Sequence, residues 1–170
     1  MERNLKYKNL LTKVLYLTTI FITCVFFSYS SLAAGGGGDD KKKVTVKSSE
    51  YYKAVKLIKE KSYDAAIQNL LKAEKNNKND ADIYNYLGFS YRKTGNLEKA
   101  SQYYNKALEI SPKHKGALEY QGEMFLTQGD LKKAQENLKK LQKICFLGCE
   151  EEKMLKESIM KYNKGQKSSY

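Results

Sequence analysis

The sequence predicts an all-α fold, a solenoid of three stacked helical hairpins closed by a C-terminal capping helix. Three observations predict it. Residues 47–80, 81–114 and 115–148 align as successive units of 34 residues. Small residues recur within them: Ala54, Gly88 and Gly122 at the eighth position, Ala66, Ala100 and Ala134 at the twentieth. Apolar residues return at spacings of three and four, the period of an amphipathic helix. A hairpin of this size leaves one face unburied, and three stacked units are about the minimum that supports itself.

Taken in order, residues 1–33 read as a secretory signal. Arg3, Lys6, Lys8 and Lys13 precede an uncharged apolar run over 14–27, and Ser31 and Ala33 supply the small residues a signal peptidase accepts. Cleavage is expected after Ala33, or one residue later after Ala34. The apolar run is shorter than the roughly 20 residues that cross a bilayer. Adding residues 28–34 gives the second reading, an uncleaved anchor in the inner membrane. In both readings the rest of the chain is exported, and its expected compartment is the periplasm. Residues 34–46 hold four glycines and then Asp39, Asp40 and three lysines, the composition of a flexible tether.

Inside the units, the eleventh position reads Leu57, Tyr91, Phe125 and the twenty-fourth Leu70, Tyr104, Leu138. The small residues at the eighth and twentieth positions let paired helices approach closely. Gly95 and Gly129 end the first helices of their pairs, since glycine takes the left-handed conformation without steric cost. Ser62, Asn96 and Asp130 follow, each able to cap the next helix through a side-chain oxygen. Lys61 stands where the first unit would need glycine, so that turn is expected to be looser. Residues 149–164 form the capping helix, with Met154, Leu155, Ile159 and Tyr162 on one face. Residues 165–170 form a frayed tail.

The middle unit, ADIYNYLGFSYRKTGNLEKASQYYNKALEISPKH, resembles the tetratricopeptide repeat at every signature position, Pro112 included. The outer units depart from that pattern at Lys53, Lys78 and Gln121. The resemblance implies a concave groove lined by the first helix of each pair. It places there Tyr51, Val55 and Ile58, then Asn85, Phe89 and Arg92, then Glu119 and Glu123. One end of this trough is aromatic and aliphatic, the middle basic and the far end acidic. The expected partner is a protein: a peptide segment or helix of an envelope protein with an apolar anchor. The competing reading packs Val55, Ile58 and Leu126 beneath the tether or neighbouring helices. Some members of the family grip a C-terminal carboxylate with Lys and Asn at the fifth and ninth positions. Here those positions hold Tyr51 and Val55, Asn85 and Phe89, Glu119 and Glu123, and two glutamates repel a carboxylate. Tyr52, Tyr86 and Tyr120 recur at the sixth position and are expected to pack between hairpins, with the apolar ring inside and the hydroxyl at the edge.

Cys145 and Cys149 bracket a turn at Gly148, and in an oxidising compartment two thiols at short range pair. A disulfide stapling the capping helix is therefore expected. The segment CFLGCEE also resembles a sequence following the repeats in a group of small exported tetratricopeptide proteins of Gram-negative bacteria, a likeness that implies architecture and no activity. The chain carries 31 Lys and Arg against 19 acidic residues, a net charge of +12, yet Arg3 and Arg92 are its only arginines. Lysines scattered among Glu, Asn and Gln argue against nucleic-acid recognition, which favours the arginine fork. They are compatible with weak association with an anionic membrane surface. With one histidine, His114, neither a Ser-His pair nor a zinc set is expected, so no catalytic residue, metal or cofactor is assigned. Two alternatives to a binding scaffold stand: a thiol redox protein built on Cys145 and Cys149, and a self-associating structural protein.

Overall fold

A computed structural model describes residues 46–166, so the leader, nearly all of the tether and the last four residues of the tail lie outside the described residues. Seven α-helices follow one another: α1 (Ser49–Lys59), α2 (Tyr63–Asn76), α3 (Ala81–Lys93), α4 (Leu97–Ile110), α5 (Lys115–Thr127), α6 (Leu131–Ile144) and α7 (Glu150–Asn163). No strand occurs among the described residues, and none of these helices is long and apolar enough to cross a membrane.

Side-chain caps start five of the seven described helices. The side chains of Ser48, Asp80, Asn96, His114 and Asp130 accept from backbone N–H groups of the first turns of α1, α3, α4, α5 and α6. The hairpin turns share one pattern: Ser62 N donates to Leu57 O, Asn96 N to Tyr91 O and Asp130 N to Phe125 O, at 2.8, 2.9 and 2.8 Å. Each needs a left-handed residue just before the donor, and Gly95 and Gly129 supply it with φ of 85° and 80°. Lys61 adopts the same conformation at φ 60°. The first turn is therefore as tightly bonded as the others, and its penalty is steric, because a Cβ crowds the following carbonyl there. Ser62 makes no side-chain cap, unlike Asn96 and Asp130.

Packing follows from the small residues. Ala54, Ala66, Ala100 and Ala134 are fully buried between helices. A Cβ on Gly88 would sit 2.6 Å from the Tyr104 ring, so α3 and α4 approach as closely as they do only because that position is glycine. Leu70, Leu87, Leu118, Leu141 and Leu155 are all buried, each stabilising the stack by roughly 1.5–3 kcal/mol. The helix α7 packs on both α5 and α6. Its Leu155 and Ile159 are buried against the last hairpin, Tyr162 joins the same cluster half-exposed, and Met154 turns away toward a cleft. Between α6 and α7 the chain brings the sulfurs of Cys145 and Cys149 together with Cα atoms 5.6 Å apart, the separation a disulfide needs. Phe146 and Leu147, inside that loop, are each 93% exposed.

Candidate functional site

The inner face has two unlike halves. On the α1–α3 side, Tyr51 packs its ring 5.9 Å from that of Tyr86 and 5.5 Å from that of Tyr52. Val55 and Ile58 are half-buried against the first core cluster. Phe89 is half-buried between Tyr63, at 6.1 Å, and Tyr120, at 4.9 Å between ring centroids. Lys93 Nζ and Arg92 Cζ each lie 5.6 Å from the Phe89 ring, within cation–π range. The result is an aromatic patch carrying positive charge, made by α2, α3 and α5 together.

The other half is closed. Asn85, Arg92, Glu119 and Glu123 are 5%, 8%, 2% and 0% exposed. The sequence places these four on an open groove; the fold takes them into the interior. For the two glutamates the physical reason is α7, whose Leu155 rests on Gly122 of α5, where a Cβ would come within 2.6 Å of the leucine methyls; Asn85 and Arg92 lie on α3, which packs on α5 and not on α7. Burial, and then the negative charge of Glu123, push the Glu119 carboxyl up to about 8, with Arg92 pulling the other way. Glu119 is therefore protonated at neutral pH. Its Oε1 finds no hydrogen-bond partner, nor do Arg92 Nε and Nη2 or Asn85 Oδ1. Lys93 is lowered by burial and by the neighbouring Arg92 charge.

Beside this closed half lies a cleft of about 330 Å³, lined by Asp82, Asn85 and Tyr86 of α3, His114, Gly116, Glu119 and Tyr120 at and after the start of α5, and Glu150, Glu151 and Met154 of α7. An ion-pair thread runs along its rim. Lys47 Nζ donates to Asp80 and, at 2.6 Å, to Asp82 Oδ2, and His114 Nε2 meets Asp82 Oδ1 at 2.9 Å. Because His114 Nδ1 accepts from Ala117 N at 3.0 Å, the proton of the neutral imidazole sits on Nε2 and is donated to Asp82. That bond and the Lys47 contact hold the Asp82 carboxyl well below the usual range against the opposing effect of burial. Burial pulls Lys47 down, but its bonds to Asp80 and Asp82 leave it raised.

Of the sixth-position tyrosines, Tyr52 is 61% exposed, whereas Tyr86 and Tyr120 are half-buried and form walls of the cleft. Packing between hairpins thus describes the second and third members and not the first, which has no preceding unit against it among the described residues. Sequence reasoning assigned no site role to Lys47, Tyr63, His114 or Glu151. The only available signals were the capping position of His114 and the acidic run that opens α7.

A family model described as regulator of microtubule dynamics protein 1-3 matches residues 50–127. No curated protein matches the sequence. Solved structures do. The type III secretion translocator chaperone SycD of Yersinia enterocolitica superposes with a TM-score of 0.62 at 17% identity, covering 77% of this chain and 96% of that one. PcrH in complex with the chaperone binding region of PopD gives 0.61 at 15% identity, covering 78% and 98%. The first repeat domain of Spaghetti (RPAP3) bound to the HSP90 peptide SRMEEVD gives 0.60 at 16% identity, covering 77% and 98%. These likenesses establish the fold: the described residues form a tetratricopeptide-repeat domain.

Proposed function

We propose that this protein is an exported scaffold whose inner face binds a peptide segment or helix of an envelope protein. The observation that carries the reading is the Tyr63–Phe89–Tyr120 patch: half-exposed aromatic rings, contributed by three helices and flanked by Lys93 and Arg92. Aromatic side chains on a rigid support are among the residues that dominate binding energy at interfaces. PcrH and the Spaghetti domain, of the same fold, were solved with a segment of PopD and an HSP90 peptide respectively. The acidic HSP90 peptide is a poor guide to the ligand here, because Glu119 and Glu123 occupy the positions that a carboxylate clamp would fill with Lys or Asn. Export and a periplasmic destination rest on the leader pattern of residues 1–33, and cleavage is favoured over anchorage by the short apolar run.

The test is crosslinking in intact cells with wild type and with Tyr51→Ala/Phe89→Ala, the variant shown by circular dichroism to remain helical. Envelope proteins captured by wild type and lost by the variant are the expected result; equal capture by both removes the inner face as the site. In the same reading Cys145 and Cys149 form a staple holding α7, supported by their 5.6 Å Cα separation. Replacing both by serine should then lower stability by about 1–2 kcal/mol while leaving capture intact.

A further inference from the structure

The cleft between α3, α5 and α7 has a chemistry that the aromatic patch lacks. Its charged lining groups are acidic, apart from His114 on the rim: Asp82 on one side, Glu119 at depth, and Glu150 and Glu151 opposite. Tyr86 and Tyr120 form its side walls. Neither nearby cation lines the cleft. Lys47 is bonded to Asp80 and Asp82, and Arg92 is 8% exposed and separated from the opening by its own burial. The Glu119 side chain, 2% exposed, holds an acceptor oxygen without a donor. An unpartnered carboxyl that deep is costly unless a donor arrives. Among the described residues no three His, Cys, Asp or Glu side chains converge as metal ligands, so the donor that fits is an organic cation, whose flat or tapered body suits two tyrosine walls.

We propose that this cleft is a socket for one cationic side chain, arginine or lysine, of the peptide that crosses the inner face, an assignment that rests on the peptide-binding reading above. The aromatic patch anchors an apolar residue and the socket a basic one, with Tyr120 shared between them because it lines the cleft and also packs on Phe89. The charges acting on Glu119 are Glu123 from its own helix, Arg92 from α3 and Glu151 from α7, and Asp82, His114 and Glu150 line the same cleft. Since burial and Glu123 keep Glu119 protonated at neutral pH, binding a cation releases a proton, and affinity should rise as pH increases through about 8.

The experiment titrates the intact, ¹⁵N-labelled chain with acetyl-arginine methylamide, acetyl-norleucine methylamide and putrescine, following backbone amides by NMR. The arginine amide should shift Asp82, Gly116 and Glu151 saturably and bind about tenfold tighter than the norleucine amide, the gain expected of one charge-assisted bond. Glu119→Gln, isosteric with the protonated form, should lose that preference together with the pH dependence. Glu151→Gln, on a half-exposed site, should weaken binding less and guards against a folding artefact. Equal affinity for norleucine, or no shift at the cleft, overturns the socket; if Phe89-dependent capture in cells persists, the peptide-binding reading survives alone. Putrescine binding tighter than the arginine amide overturns the assignment to a peptide side chain. Arginine binding without Phe89-dependent capture overturns the peptide-binding reading, and with it the assignment of the socket to a peptide.

Discussion

The two ends of the stack are built from the same repeat and finished in opposite ways. At the N-terminal end α1 has no further helix against it among the described residues; Tyr52 stands 61% exposed, and the inner-face residues Val55 and Ile58 keep part of their surface. At the C-terminal end α7 lies on α5, and the corresponding inner positions Glu123 and Leu126 are sealed at 0% and 4% exposure. One set of positions thus yields a surface at one end and an interior at the other. Repeat register decides which side of a helix faces inward, but the element packed beyond it decides whether that side remains available to a partner.

Removing the seal should break the contrast most severely. Leu155→Ala deletes a fully buried side chain at the α5–α7 contact and should cost about 3 kcal/mol in urea unfolding. It should also wet Glu119 and bring its carboxyl back toward the ordinary 4.5. A small stability loss with Glu119 unchanged would show that α7 does not create the buried end.

A smaller effect separates the ends by pH. Glu119 is raised in the fold, so its contribution to stability is complete below 4.5 and fades as pH climbs toward about 8. Asp82 is depressed, so its contribution is complete above 3.8 and fades as pH falls below that value. The melting temperature should therefore peak in mild acid and decline by several degrees toward pH 8. Glu119→Gln should flatten the alkaline decline and leave the acid one, while Asp82→Asn should do the reverse.

The smallest expected change is at the N-terminal end. Lys61→Gly relieves a left-handed residue at φ 60° and should stabilise by about 0.5–1 kcal/mol, the steric relief being partly offset by the extra freedom of glycine in the unfolded chain. No gain in thermal unfolding would mean that the first turn pays no penalty for its lysine.

The hairpin architecture was legible because close helix approach constrains composition directly. Only very small side chains fit at Ala54, Gly88, Gly122 and their partners, and their recurrence every 34 residues reads as stacking. The turn residues were legible for the same reason, except that Lys61 shows tertiary context forcing a conformation its own propensity resists. The inner face was only half legible. Phe89 kept its predicted place on a partly open surface, whereas Glu119 and Glu123 did not, because their burial depends on where α7 lands and no spacing within α5 records that; Arg92 is buried on α3, away from α7. The cleft was legible only in part: the predicted inner-face residues Asn85 and Glu119 line it, together with Tyr86 and Tyr120. It also needs His114 at the start of α5 and Glu150 and Glu151 on α7, residues brought together only by the rise of the stack.

The thread of Lys47, Asp80, Asp82 and His114 joins the starts of α1, α3 and α5 in succession. In a linear array each unit's tendency to melt is set by its own free energy and by its coupling to its neighbours. Half-exposed ion pairs add little to the first quantity but contribute directly to the second. Cooperativity in this domain is thus partly electrostatic. Salt that screens the thread should broaden the unfolding transition and let the hairpins melt one after another.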